Sequence, residues 1–421
     1  MPRVLVFIIA FFVAAPASAH IGAGAGQTDI LLLPDRDDVW MKAPWGFVHH
    51  AGGDADWRWV CHEVFSGGNE SLLPDLVQGS DGTLFGVLGL LDGVRDEGVS
   101  LYRSADDGCT WDATTGLEDR VVVGVAMSPS DPAIGLAISA DLDTGEGIPA
   151  NGIWRTTDGG ASWAVVQEWD GRLMRSVAFG LQDRAYAVAA TPDPEQAWLL
   201  RSDDGGQTWQ ELPVPTDGVE VVTVGQIVAV HPADPDEVWL HFDGSQNDAV
   251  FRSVDGGQTF SPVTGIPDLF LDIEFAADGT HWLVGGPRQL WRSEDLQTWT
   301  QVEDVPQAWG AGLDARGLWL AVNTLADDRA VVRLEGGALV DELWTLDLAG
   351  VKECPAGSDA ATVCGPLFDD LYSNLERMRP RPSGDDDDSA VEPPSPGCES
   401  GCGGGAALLP LILLGGLRRR G

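Results

Sequence analysis

Ser202-Asp203-Asp204-Gly205-Gly206-Gln207-Thr208-Trp209 is the stretch that decides how the rest of the chain is read. It returns as Ser253-Val254-Asp255-Gly256-Gly257-Gln258-Thr259-Phe260. The same frame stands at Ser104-Ala105-Asp106-Asp107-Gly108-Cys109-Thr110-Trp111 and at Thr156-Thr157-Asp158-Gly159-Gly160-Ala161-Ser162-Trp163. A copy one residue shorter is Ser293-Glu294-Asp295-Leu296-Gln297-Thr298-Trp299. The shared pattern is Ser/Thr-x-Asp-x-Gly-x-Thr-Trp. Each position has a physical reason in a hairpin turn. The aspartate turns its carboxylate back onto the N–H groups of the following loop. Glycine supplies the positive φ that closes the turn, and the aromatic residue opens the next strand by burying a large ring. A short apolar run ending in arginine precedes every copy, at Arg103, Arg155, Arg201, Arg252 and Arg292. Each unit therefore reads as strand, acidic turn, aromatic strand.

This pattern resembles the Asp box, or BNR repeat, of sialidase-like, sortilin-like and photosystem-assembly-factor-like propellers, and the resemblance covers most of the chain. It implies a fold rather than an activity, with the boxes at the blade rim, away from the axial pocket. Asp106, Asp158, Asp204, Asp255 and Asp295 are accordingly expected to be structural.

Between boxes the order is constant. A valine-rich strand comes first, for example 121–127 or 221–230, and a Pro/Asp turn follows. A second strand and the arginine-ending strand complete the approach to the box. With the strand after the box, each unit has four strands, the number of a propeller blade. Worn copies with Asp54 and Trp59, and with residues 334–340, extend the series. Box ends then fall 52, 52, 46, 51, 39 and 41 residues apart, blade-like spacings. The expected fold is all-β, a single propeller over residues 28–350 with four-stranded antiparallel blades. Seven blades are expected, six being the competing count. Residues 28–33 and 343–348 are expected to share one blade and so fasten the ring.

The 421 residues suffice for one large all-β domain. With 65 acidic against 25 basic residues and a net charge of −40, the chain lacks the clustered cations that nucleic acid or an anionic lipid surface demands. The acidity reads as a solvated surface, with a saline habitat as the sharper alternative. The chain is expected to be a monomer.

The N-terminus reads as a secretory signal: Arg3, an apolar stretch over 4–15, and the small-x-small site ending at Ala19. Export makes the six cysteines disulfide candidates. Cys61 and Cys109, one repeat apart, are expected to pair, and so are Cys354 and Cys364 across a short loop in an extension over 351–378. A short outer helix is expected over 366–378. Residues 379–401 form an acidic, proline-rich linker, whose Asp385–Asp388 run reads as a self-repelling tether rather than a cation site. The C-terminal stretch combines Gly401-Cys402, a short apolar segment and the arginines Arg418, Arg419 and Arg420. They resemble the myxobacterial C-terminal sorting signal, MYXO-CTERM. That resemblance implies that Cys402 is processed and lipid-modified, so that the membrane is met only through this tag. A retained short anchor, or a Cys398–Cys402 loop, is the alternative.

No catalytic residue, cofactor or metal site emerges. The Phe-Arg-Ile-Pro sequence expected of a sialidase is absent, and the five repeat arginines share one outer position, so they do not converge on an axis. Asp272 and Glu274, two apart on an inner strand, share a face, yet such pairs are frequent among 65 acidic residues. His49 and His50 point to opposite faces with no third ligand apparent. No nucleophile elbow, phosphate loop or dinucleotide fingerprint occurs. The preferred reading is an exported, non-catalytic module presenting its axial face to a protein or glycan. The alternative is a secreted glycoside hydrolase with an unrecognised carboxylate pair.

Overall fold

In a computed structural model the chain divides into residues 1–380 and 381–421. The structure describes residues 29–368, apart from 34–36, 44–45, 52–56, 67–74, 89–97, 142–150, 193–194, 216–224, 243–247, 267–269, 287, 323–326 and 345–353. The signal with Ala19, Asp54, the acidic linker with Cys398, and the C-terminal tag with Cys402 lie outside the described residues.

Seven antiparallel sheets form, each from four consecutive strands. Blade 1 holds β1 Asp29–Leu33, β2 Asp38–Ala43, β3 Gly46–His50 and β4 Trp57–Val60. Blade 2 holds β5 Asp75–Gln78, β6 Leu84–Val87, β7 Leu101–Ser104 and β8 Asp112–Ala113. Blade 3 holds β9 Arg120–Met127, β10 Gly135–Asp141, β11 Asn151–Thr156 and β12 Ala164–Trp169. Blade 4 holds β13 Leu173–Phe179, β14 Ala185–Pro192, β15 Glu195–Ser202 and β16 Gln210–Val214. Blade 5 holds β17 Gln226–Val230, β18 Val238–Phe242, β19 Ala249–Ser253 and β20 Ser261–Pro262. Blade 6 holds β21 Phe270–Phe275, β22 His281–Gly285, β23 Gln289–Ser293 and β24 Thr300–Gln301. Blade 7 holds β25 Ala308–Asp314, β26 Gly317–Val322, β27 Arg329–Glu335 and β28 Ala338–Trp344. First strands of neighbouring blades pack on one another all the way round, β1 meeting both β5 and β25. The protein is thus a seven-bladed propeller.

The ring closes differently from the expectation. Residues 29–33 are the first strand of blade 1, whereas β28 completes blade 7, so no blade mixes the two ends. The repeat begins in phase with the first strand, which leaves blade 1 already four strands wide. Closure is by side-chain packing instead. Trp319, Ala321, Val331 and Leu343 of blade 7 share one core with Ile30, Trp40 and Phe47 of blade 1. Gly312 lets β25 approach β1, since a Cβ there would lie 2.8–3.0 Å from Ile30 and Leu32 side-chain atoms. Trp57 Nε1 donates to the Glu342 carbonyl at 3.2 Å and Arg316 Nη1 to the Asp37 carbonyl at 2.8 Å.

The four cysteines are bonded, but in crossed pairs: Cys61 to Cys364 and Cys109 to Cys354. The expected pairs Cys61–Cys109 and Cys354–Cys364 do not form. The segment between Cys354 and Cys364 is no bare loop. It contains helix α2, Asp359–Cys364, capped by the Ser358 side chain, which accepts from Ala361 N. A 3₁₀ turn, Gly365–Leu367, follows it, and the helix expected over 366–378 lies outside the described residues from 369 on. Asp359 Oδ2 accepts from Trp111 N at 3.0 Å, and Ala360 N donates to the Cys109 carbonyl at 3.0 Å. The α2 segment also packs on α1, Glu63–Ser66. It therefore clamps blades 1 and 2 from outside, and each cysteine meets the blade beneath it.

Candidate functional site

The boxes occupy the β3–β4-type turns of blades 2 to 6 and repeat one set of hydrogen bonds. In blade 4 Ser202 Oγ donates to Asp204 Oδ1 at 2.8 Å, and Gly206 N donates to Ser202 Oγ at 2.8 Å. Thr208 N reaches Asp204 Oδ1 at 2.8 Å, and Thr208 Oγ1 reaches Oδ2 at 2.7 Å. Trp209 Nε1 donates to the Gly206 carbonyl at 3.1 Å. Asp106, Asp158, Asp255 and Asp295 accept the equivalent bonds from Thr110, Ser162, Thr259 and Thr298. Hydrogen bonding from Ser162 and Thr259 holds the Asp158 and Asp255 carboxyls below the usual carboxylate range. The main-chain N–H groups of Thr298 and Gln297 take Asp295 down to about 2. In each of these boxes the carboxylate is committed to the turn through Oδ1.

The repeat arginines have a task the sequence did not disclose. Arg103 Nε of blade 2 donates to the Gly159 carbonyl in the box of blade 3 at 2.8 Å. Arg155 Nε does the same to Gly205 of blade 4 at 2.8 Å, and Arg201 Nη1 to Gly256 of blade 5 at 3.3 Å. Each of these three arginines is thus a stitch to the next blade. The shortened box of blade 6 has no such glycine, and Arg252 turns to Glu237 in its own blade, with bonds of 2.8 and 2.9 Å. The five arginines stay apart, as their common position in the repeat implied.

Chain direction puts the boxes and the turns between first and second strands at one end of every blade. The opposite end carries the entry to each innermost strand. There the ladder between first and second strands is irregular in blades 3 to 7, with register shifts at Ile138/Ser139, Met174/Ser176, Ile227/Ala229, Phe270/Asp272 and Ala308/Gly310. Bulges of this kind re-aim side chains at a rim. They present Arg175, Val228, Leu271 and Trp309 at equivalent places. The Arg288 guanidinium lies 3.5 Å from the Trp309 ring centroid, and burial lowers its pKa.

Two carboxylates converge on the start of β21. Asp248 Oδ2 accepts from Phe270 N at 2.9 Å and stands 3.0 Å from His241 Nε2, while His241 Nδ1 lies 3.0 Å from Gln226 Nε2. Half-buried Asp272 takes Ile273 N on Oδ1 and Ala311 N, on the next blade, on Oδ2, both at 2.8 Å. Desolvation pushes the Asp272 carboxyl up to about 6 against those two bonds. Glu274, its proposed companion, is buried in the sheet. Asp248, which the sequence left in an anonymous loop, instead holds Phe270 N, two residues before Asp272 on the same strand. Only the packing of blade 6 on blade 5 brings residue 248 beside residue 270, so spacing along the chain held no signal for it. Tyr186 is no nucleophile candidate, because its hydroxyl donates to the Pro235 carbonyl at 2.6 Å at the box end. Tyr102 is packed in the core, and Tyr372 lies outside the described residues.

A second cluster lies at the box end, where blades 1 and 2 meet. One ligand atom each from Asp38, His49 and Asp107 fall within 4.8 Å of one another. The sequence found His49 no co-ligands; the fold supplies them from two blades.

No known family profile matches the chain. A xyloglucanase from a Paenibacillus species is 26% identical over 234 residues, covering 51% of this chain and 22% of that protein. The chain therefore spans about a fifth of the length of that relative. Among solved structures, a prolyl endopeptidase shares the fold at 11% identity and a TM-score of 0.50, over 76% of this chain and 50% of that one. YCF48 from Cyanidioschyzon merolae aligns at 15% identity over 78% of this chain and 98% of that one, with a TM-score of 0.45. An ancestral GH74 enzyme aligns at 15% identity over 78% and 39%, with a TM-score of 0.39.

Proposed function

We propose that the chain is an exported, glycan-directed propeller. It is held at the outer cell surface through its C-terminus and hydrolyses glycosidic bonds at the axial mouth opposite the boxes. The observation that carries the reading is the sequence similarity to a xyloglucanase, an enzyme named for a polysaccharide substrate. It moves the balance from a non-catalytic module towards the glycoside hydrolase alternative. The mouth supplies suitable chemistry. Glycoside hydrolysis uses one carboxyl group that stays protonated and a second that is ionised. Asp272, with its pKa raised to about 6, fits the acid, and Asp248, 3.0 Å from His241 Nε2, is the candidate for the second carboxyl group. Trp309 under Arg288 offers an aromatic platform for a sugar face.

A panel of fluorogenic glycosides and soluble β-glucans, with reducing ends measured, tests this. Turnover by the whole protein is expected, lost on Asp272→Asn and on Asp248→Asn with the melting temperature kept. A second reading, glycan binding without turnover, draws on the fact that both Asp272 oxygens already accept main-chain bonds. A glycan array that lights up while the panel stays silent would select it, and activity untouched by Asp272→Asn would remove Asp272 from the mechanism.

A further inference from the structure

The register of the repeat identifies a position that blade 1 fills unlike the others. In blades 2 and 3 the second-strand residue that packs under the second glycine of the next box is Phe85 or Leu136: a Cβ on Gly160 or Gly206 would meet them at 2.2 and 2.3 Å. Their direct partners across the ladder are the stitching arginines, Arg103 and Arg155. In blade 1 the residue under Gly108 is Trp40, 3.1 Å from a Cβ there, and its direct partner is His49. His49 therefore stands where the guanidinium stands elsewhere. The box residue that should receive it is also changed, because Asp107 replaces the first glycine of the pair, at φ 56°. Asp38, two residues before Trp40 on the same face of β2, completes the group.

At the other junctions a fixed cation meets a neutral carbonyl. Here a neutral-capable imidazole meets two carboxylates. His49 is 1% exposed, stacks on Trp40 at 4.0 Å and 7°, and makes no hydrogen bond through either ring nitrogen. Its Nε2 lies 3.8 Å from Asp38 Oδ1. Arg58, opposite His49 on β4, directs Nη1 to the Cys109 sulfur at 3.8 Å. The geometry points to a divalent transition-metal site, Asp38–His49–Asp107, in which a bound ion takes over the inter-blade stitch of the missing arginine. One imidazole and two carboxylates, with water in the fourth position, suit zinc. Calcium, which takes six to eight oxygens, is a poor match.

The test uses the whole protein, stripped with chelator, re-exposed to one to three equivalents of zinc, desalted, and measured for bound metal and for melting temperature. Cobalt is added separately as a spectroscopic probe. The wild type is expected to retain one equivalent more than either His49→Ala or Asp107→Gly, and its melting temperature is expected to rise with zinc while theirs does not. Asp107→Gly restores the glycine pair of the other boxes at a positive-φ position, so it guards against a variant that fails merely by misfolding. The double change His49→Arg with Asp107→Gly rebuilds the ordinary stitch. It is expected to lose the equivalent of metal and to melt, without zinc, no lower than the stripped wild type. Equal metal retention in wild type and Asp107→Gly, or a wild type whose melting ignores zinc, would overturn the site.

Discussion

A single aspartate in each box accepts up to four hydrogen bonds, and this concentration makes the residue a point of weakness. Asp204→Ala leaves the N–H groups of Gln207 and Thr208 and the hydroxyls of Ser202 and Thr208 without their acceptor. The expected loss is about 1–3 kcal/mol, read as a lowered guanidinium midpoint with an unchanged slope. The pH dependence of these groups has a fixed sign. A folded pKa below the unfolded one gives stability that is complete above pH ~4 and is lost as pH falls towards about 2, the value for Asp295. Asp158→Asn and Asp255→Asn are therefore expected to unfold in acid at a higher pH than wild type, as followed by tryptophan fluorescence. The aspartate's part was legible because a Ser-x-Asp turn closes within eight residues. The arginine's part was not, because Gly159 is 56 residues from Arg103, in another blade.

At the scale of the element, regular alternation and turn chemistry made the blades readable, and departures from them mark where reading failed. The β27–β28 turn is a two-residue Gly336-Gly337 hairpin with φ 57° and 86°, which has no carboxylate lock. It still appeared in the sequence as the last worn copy. The cysteines misled because nearness along the chain, or one repeat of separation, is no measure of where an intervening helix carries a side chain. Unreduced peptide mapping is expected to yield Cys61–Cys364 and Cys109–Cys354 peptides. The bridges close loops with separations of 303 and 245 residues. With Cys109–Cys354 left intact, the loop that Cys61–Cys364 closes runs only through 61–109 and 354–364, so the paired change Cys61→Ser with Cys364→Ser is expected to lower stability by about 4 kcal/mol in the chain-entropy picture, measured by equilibrium denaturation.

For the molecule as a whole, the ring follows from repetition, whereas the axial mouth is assembled from residues that no repeat announces. Asp272 was visible as an inner-strand carboxylate; the bonds of Asp248 to Phe270 and of Asp272 to Ala311, and the contact of Arg288 with Trp309, arise only through the order of blades 5, 6 and 7. The burial of Asp272 has a thermodynamic signature opposite to that of the boxes. A folded pKa raised to about 6 makes the folded state hold a proton that the unfolded chain releases near pH 4. Stability from this group is therefore greatest below pH ~4 and falls as pH rises to about 6. Wild type is expected to lose stability relative to Asp272→Asn between pH 4.5 and 7 in paired denaturation curves. The two crossed bridges have one more result, which concerns damage. A protease that nicks any surface loop between residues 62 and 363 severs the backbone but releases nothing, since at least one sulfur link still spans the wound. Such a clipped protein would run as one band until a reductant is added, and would go on working in surroundings where its neighbours are digested.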